Sequence, residues 1–126
     1  MRFPLLRPLL ALALLAASLP SLALDSNKWR LQCSGGANAD GVITLRITPK
    51  GGAPTEVAVA IKDRAGENAV ARAIRDALKA QVGDRYKVET DDGEDVLVKK
   101  RGRQPDFEIA VVSNTVKGVR VNSDRE

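Results

Sequence analysis

The sequence predicts an α+β fold: a mainly antiparallel sheet of about six or seven short strands, with one amphipathic helix packed on one face. Three observations predict it. Apolar and polar residues alternate over several short segments, as they do in half-buried strands. One segment, at about residues 67–81, instead repeats its apolar residues at helical spacing. Short turns join most neighbouring segments, which favours antiparallel pairing and the order βββαβββ(β).

Residues 1–23 are set apart from this fold because they follow the plan of an export signal. Arg2 and Arg7 form a positive start, and an apolar run over residues 9–19 follows. This run is too short to span, as a helix, a bilayer core of roughly 30 Å. A cleaved signal peptide is therefore predicted, and an uncleaved membrane anchor is the less favoured alternative.

Cleavage is predicted after Ala23, because Ser21 and Ala23 place small residues at the positions that a signal peptidase reads. The predicted product is periplasmic or secreted, has no stable membrane anchor and consists of residues 24–126 as a single small globular domain. The whole chain has 20 Lys and Arg against 16 Asp and Glu. Its basic excess falls by two once Arg2 and Arg7 are removed.

Three strands are predicted before the helix. The first, residues 28–34, places Trp29 and Cys33 on its apolar face. A glycine-rich turn follows, and two further alternating segments, residues 43–48 and 57–61, are the second and third strands. Their order along the chain indicates a meander.

The helix is predicted from Val70, Ile74 and Leu78, which recur four residues apart and share one face. Its predicted range is about residues 67–81, and Gly83 is expected to end it in the left-handed conformation. Alanines beside the apolar stripe allow the helix to approach a sheet closely, and we expect it to pack on the third strand.

A hairpin is predicted after the helix, because residues 86–90 and 94–100 flank Asp92-Gly93. Aspartate followed by glycine is a strong signal for a two-residue type I′ turn, in which both central residues need positive φ. Two more strands are predicted, residues 107–111 and a last short one at residues 119–121.

Residues 55–98 combine an alternating strand, a Gly-Glu-Asn helix start, an alanine-rich helix and a hairpin. In this general plan they resemble small strand–helix–hairpin modules of phage tail and flagellar proteins. The resemblance covers less than half of the chain and includes no diagnostic motif, so it implies no function.

Composition excludes several kinds of chemistry. The chain has no histidine, so it has no Ser-His-Asp triad, no Cys-His pair and no His-ligated metal. The one cysteine, Cys33, cannot close a disulfide within the chain, and its place on an apolar face predicts a buried, unreactive thiol. An intermolecular disulfide at an exposed edge is the alternative. We expect no enzyme, catalytic residue, metal or cofactor, although a lysine, serine or carboxylate site is a third possibility.

An acidic cluster surrounds the predicted hairpin turn and raises the question of calcium binding. Its spacing does not fit a twelve-residue calcium loop, and a solvated hairpin tip is the favoured interpretation. The cluster comprises Glu89, Asp91, Asp92, Glu94 and Asp95.

A basic cluster follows immediately and supplies the candidate binding residues. Such a cluster can hold a phosphate, polyanionic glycan, anionic lipid head group or nucleic acid, although no aromatic residue is interleaved for base stacking. Charge compensation by the acidic cluster is the alternative. Arg72, Arg75 and Lys79 form a second positive stripe on the helix, favoured as a solvated face. The candidate binding residues are Lys99, Lys100, Arg101 and Arg103.

Two function hypotheses remain. The favoured one is a small non-catalytic protein-interaction or assembly module, or an inhibitor, that engages another envelope or extracellular protein through sheet edges or the charged hairpin. The alternative is a module that binds an anionic ligand through the basic loop at residues 99–103.

Overall fold

Seven strands and one helix make up most of residues 24–126, the part of the chain that the computed structural model describes. The α+β class predicted from the sequence is confirmed, and the elements follow in the order βββαββββ. The predicted export signal at residues 1–23 and its cleavage after Ala23 lie outside the described residues. In chain order the elements are β1 (Lys28–Ser34), β2 (Gly41–Pro49), β3 (Thr55–Ile61), α1 (Glu67–Val82), β4 (Tyr86–Asp91), β5 (Asp95–Lys100), β6 (Phe107–Asn114) and β7 (Arg120–Arg125).

The strands form two antiparallel sheets rather than one. The four-stranded sheet has the order β4-β5-β1-β7, and the three-stranded sheet has the order β3-β2-β6. The predicted meander of the first three strands is therefore wrong for β1, whereas β2 and β3 do pair. The reason is that alternation shows which face of a strand is apolar but does not specify the strands with which it pairs. β1 pairs with β5 and β7, which are distant in the sequence.

The two sheets are fastened to each other near the start of β6. The indole Nε1 of Trp29 in β1 donates a hydrogen bond to the Phe107 carbonyl at 2.7 Å. Ser26 pairs with the same residue, and the Ser123 hydroxyl of β7 donates to the Ile109 carbonyl at 2.6 Å. These bonds hold β1 and β7 of one sheet against β6 of the other.

Helix α1 packs against both sheets, since it contacts β3 of one sheet and β1, β4 and β5 of the other. The predicted apolar stripe is confirmed, because Val70, Ile74 and Leu78 are fully buried. Gly83 differs from the prediction: its φ of −63° is right-handed, because its N–H still bonds the Lys79 carbonyl as in a continuing helix turn. No helix in residues 24–126 is long and apolar enough to cross a membrane.

One core lies between the sheets and the helix. Tyr86 and Phe107 are its largest fully buried side chains, and their ring centroids lie 4.6 Å apart in a tilted arrangement. The inward residues of β3, which are Val57, Val59 and Ile61, are all buried. Polar side chains therefore lie on the outer faces of both sheets, where the candidate binding residues must be sought.

Candidate functional site

Residues 24–126 contain no pocket, and no group of three or more acidic or cysteine residues within that range could hold a metal ion. The features of this part of the chain that bear on binding lie instead on three surfaces. These are the outer face of the four-stranded sheet, the loop after β5, and the outer face and edge of the three-stranded sheet.

Cys33 is buried, as the sequence predicts, with 1% of its surface exposed. Burial raises the pKa of its thiol to about 12, and the negative charge of Asp95 adds to the effect. The thiol is therefore protonated at neutral pH and is a poor nucleophile.

Two members of the acidic cluster are bound by Arg30, which lies on the outer face of β1. Its Nη1 contacts Asp95 at 2.5 Å and Asp91 at 3.2 Å, two carboxylates that the β4–β5 register places opposite each other. Its Nε and Nη2 donate to the two oxygens of Glu126 at 3.2 and 2.8 Å, and these bonds lower the pKa of Glu126. Arg30 thus relieves the repulsion that two opposite carboxylates would create.

Sequence reasoning missed Arg30 because nothing local distinguishes it from other polar residues of an alternating strand. Its role arises from the register that brings β1 beside β5 and β7. The predicted hairpin forms, with positive φ at Asp92 and Gly93, but its loop has three residues rather than two. Glu94 joins the loop because its N–H bonds the Asp92 carbonyl at 2.9 Å, while its own carbonyl accepts from the Cys33 N–H.

The four predicted basic residues do not form one surface. Lys100 pairs with Asp106 at 2.8 Å, and the Arg101 Nε donates to the Gly83 carbonyl at the end of α1 at 2.9 Å. Lys99 lies on the outer face of β5 and Arg103 is exposed in the loop. Two of the four are therefore already engaged within the protein, and Arg101 is well placed to interact with the negative end of the helix dipole.

The basic and acidic clusters do not compensate each other. No ion pair among the described residues joins residues 89–95 to residues 99–103. The reason is the length of the hairpin, whose acidic tip and basic loop lie at opposite ends of β5. Each residue of a strand adds about 3.3 Å, so the carboxylates at the tip are too far from the basic loop for direct contact. Glu89 is nearer, since it lies diagonal to Lys99, but its ion pair is with Lys87. The loop does reach the end of α1 through Arg101, whereas Arg75 of the helix stripe pairs with its neighbour Asp76.

Three lysines from three adjacent strands form a row across the four-stranded sheet, here called the lysine row. Lys99 of β5 lies opposite Lys28 of β1 on one side and opposite Lys87 of β4 on the other. Lys87 is 4.0 Å from Glu89, but Lys28 and Lys99 form no ion pair with any residue from 24 to 126. Like charges directly opposite each other destabilise a sheet, so this row is electrostatically unfavourable unless an anion lies beside it.

Four strands lie at sheet edges, and three of them carry features that discourage further pairing. β4 and β7 expose charged side chains. β6 is interrupted by a register shift that leaves Val112 as an extra residue, and it packs against β7. Along β3, the exposed residues are Glu56, Ala58 and Ala60, without proline, lysine or a bulge. We call this side of Thr55–Ile61 the open edge.

The outer face beside the open edge is apolar and built of small side chains. Val42 of β2 is 39% exposed and lies opposite Ala60, and Thr44 lies opposite Ala58. One exposed ion pair completes this face: the Nε and Nη2 of Arg46 both bond Oε2 of Glu56, at 3.0 and 2.6 Å.

Comparison with known proteins supplies no family for this chain. No family model matches it, and no curated protein is similar to it.

We expect Arg30→Met to destabilise the protein, because it leaves the nearly buried Asp95 without its cation. Arg46→Met is the matched control: it removes the exposed pair with Glu56, worth less than about 1 kcal/mol. Urea unfolding of the two variants measures the difference. Equal losses of stability would show that Arg30 is an ordinary surface residue.

Proposed function

We propose that this protein is an exported, non-catalytic interaction or assembly module that binds an extended segment of a protein partner along the open edge of β3. The observation that carries the proposal is the contrast between this edge and the other three. An unprotected strand edge offers a row of backbone N–H and C=O groups to another chain. Strand addition uses those groups for affinity and the alternating side chains for specificity.

The side chains at the open edge suit a close approach by another strand. Ala58 and Ala60 are small and exposed, so they place no bulky or flexible group over the backbone. Val42 extends the apolar surface onto the neighbouring strand. A partner strand would bury these side chains and gain hydrophobic stabilisation in addition to backbone hydrogen bonds.

The compartment in this proposal comes from the export pattern of residues 1–23, which supports a partner in the periplasm or outside the cell. The buried thiol of Cys33 and the engaged carboxylates around Arg30 take no part in it. Binding at this edge requires no reaction and no cofactor.

The test is Ala58→Lys, compared with Ala80→Lys on the exposed side of α1. A lysine in the middle of an edge strand discourages strand addition, whereas one on a solvated helix face does not. Tagged full chains are expressed in the native cell, cross-linked and captured from the envelope fraction. We expect Ala80→Lys to keep the partner and Ala58→Lys to lose it, with both variants folded by circular dichroism. Equal capture by both variants, or no partner and no self-association for the unchanged protein, would rule the proposal out.

A second candidate function is anion binding at the lysine row. The observation that favours it is the unfavourable placement of Lys28, Lys87 and Lys99 directly opposite one another. An anionic group lying over the row would neutralise this repulsion. The row replaces the predicted loop site as the centre of this candidate, because Lys100 and Arg101 are engaged elsewhere. A glycan bearing sulfate or carboxylate groups suits it better than a nucleic acid, since no aromatic residue stands in the row for base stacking.

The triple variant Lys28→Gln, Lys87→Gln, Lys99→Gln tests this candidate against a control of equal charge, Arg72→Gln, Arg75→Gln, Lys79→Gln on α1. Heparin serves as the probe, and calorimetry at increasing salt measures its affinity. We expect the unchanged protein to bind more weakly as salt rises. Removing three cations from the site weakens binding at least about tenfold, while the helix control changes little. The same loss of affinity in both triple variants would mean that only net charge matters and would reject the site.

A further inference from the structure

We infer that the strand which pairs with the open edge is β3 of a second copy of this chain, running antiparallel about a twofold axis at Val59. The inference rests on the proposed function, because it names the partner at the same edge. Its basis is the sequence of residues 56–62, Glu-Val-Ala-Val-Ala-Ile-Lys, which is complementary to itself when a second copy runs antiparallel about Val59.

The first element of this complementarity is the match of faces. In the pairing centred on Val59, Val57 lies opposite Ile61 of the second copy, and Ala58 lies opposite Ala60. The buried residues of one copy thus meet the buried residues of the other, and exposed residues meet exposed residues. The inner faces of the three-stranded sheets of the two copies therefore form one continuous face across the axis.

The second element is charge. The same pairing places Glu56 opposite Lys62 of the second copy, and the twofold axis repeats this pair. Lys62 is exposed directly after β3 and has no ion-pair partner among residues 24–126. Both hydrogen bonds from Arg46 go to Oε2 of Glu56, so Oε1 is free to accept from a lysine. Opposite charges at directly opposed positions stabilise an antiparallel pair.

Neighbouring registers lose this match. A pairing centred on Ala58 still sets buried residues opposite buried residues. It puts Glu56 opposite Ala60, however, and Lys62 opposite Pro54. A pairing centred on Ala60 puts Lys62 opposite Ala58. Only the register centred on Val59 aligns Glu56 with Lys62, which is why a second copy fits this edge better than an arbitrary extended segment.

The resulting assembly is a dimer with one continuous sheet of the order β6-β2-β3-β3-β2-β6. Six strands is an ordinary size for a sheet. The open edge disappears, because each β3 becomes a central strand. Such a contact is isologous and closes on itself, so it produces a dimer rather than a fibre.

Disulfide trapping tests the register. Ala58→Cys and Ala60→Cys proteins are purified, mixed and oxidised with oxidised glutathione. In the proposed register, Ala58 of one copy lies opposite Ala60 of the other, with Cα atoms about 4.5–5.5 Å apart, which is within disulfide range. The two Ala58 residues of the dimer are diagonal neighbours, with Cβ atoms about 7–8 Å apart, which is too far. We expect the mixture to give several-fold more covalent dimer than either variant alone or than Ala58→Cys mixed with Ala80→Cys. The native Cys33 does not interfere, since it is buried.

Charge reversal tests the ion pairs by sedimentation equilibrium. Lys62→Glu places two glutamates opposite each other at both ends of the contact, and we expect dimer affinity to fall at least roughly tenfold. The double variant Glu56→Lys, Lys62→Glu restores opposite charges and is expected to recover most of that loss. A double variant as weak as the single one would overturn the register.

The two proposals fail in different ways. If the unchanged protein stays monomeric at high concentration and no mixed disulfide forms, the second-copy inference is wrong. The proposed function then survives only if the edge variant Ala58→Lys still abolishes capture of another envelope protein. If neither self-association nor capture depends on Ala58, both are wrong.

Discussion

The packing of the inward apolar residues of both sheets and of α1 into one shared core is the constraint on which the rest of this structure depends. Residues such as Leu31, Ile43 and Leu45 are fully buried, and α1 contacts strands of both sheets. Close packing of this kind places the charged side chains on the outer faces. Residues 24–126 therefore meet another molecule on exposed surfaces, among which the sheet faces and strand edges carry the proposed contacts.

The two sheets present different outer faces for this reason. On the four-stranded sheet, Arg30 binds Asp91, Asp95 and Glu126, so part of the acidic charge is compensated within the protein. In the lysine row, one ion pair is formed among the described residues, between Lys87 and Glu89 at 4.0 Å. On the three-stranded sheet, the face beside β3 is small and apolar, with the single exposed pair of Arg46 and Glu56 at its side. An edge strand whose one charged side chain, Glu56, is already paired with Arg46 lies next to such a face, and this combination sets β3 apart from β4 and β7.

Local periodicity explains what the sequence could predict. Alternation over β2 and β3, and the spacing of Val70, Ile74 and Leu78, depend on neighbouring residues alone, and these elements are confirmed. The placement of β1 between β5 and β7 depends on contacts between distant segments, which no local pattern encodes. The ion pairs of Arg30 and the alignment of the lysine row follow from that placement, so neither could be predicted from the sequence. The sequence does show residues 99–103 as a run of basic residues, but it does not show which groups their side chains contact.

The most direct test of the account is hydrogen exchange of the backbone amides at rising protein concentration. The central claim is that the open edge of β3 is the contact edge. Amides of residues 55–61 that face away from β2 should exchange more slowly as concentration increases, while the edge amides of β4 and β7 keep their rates. Self-association that protects β4 or β7 and leaves β3 unchanged would contradict the account.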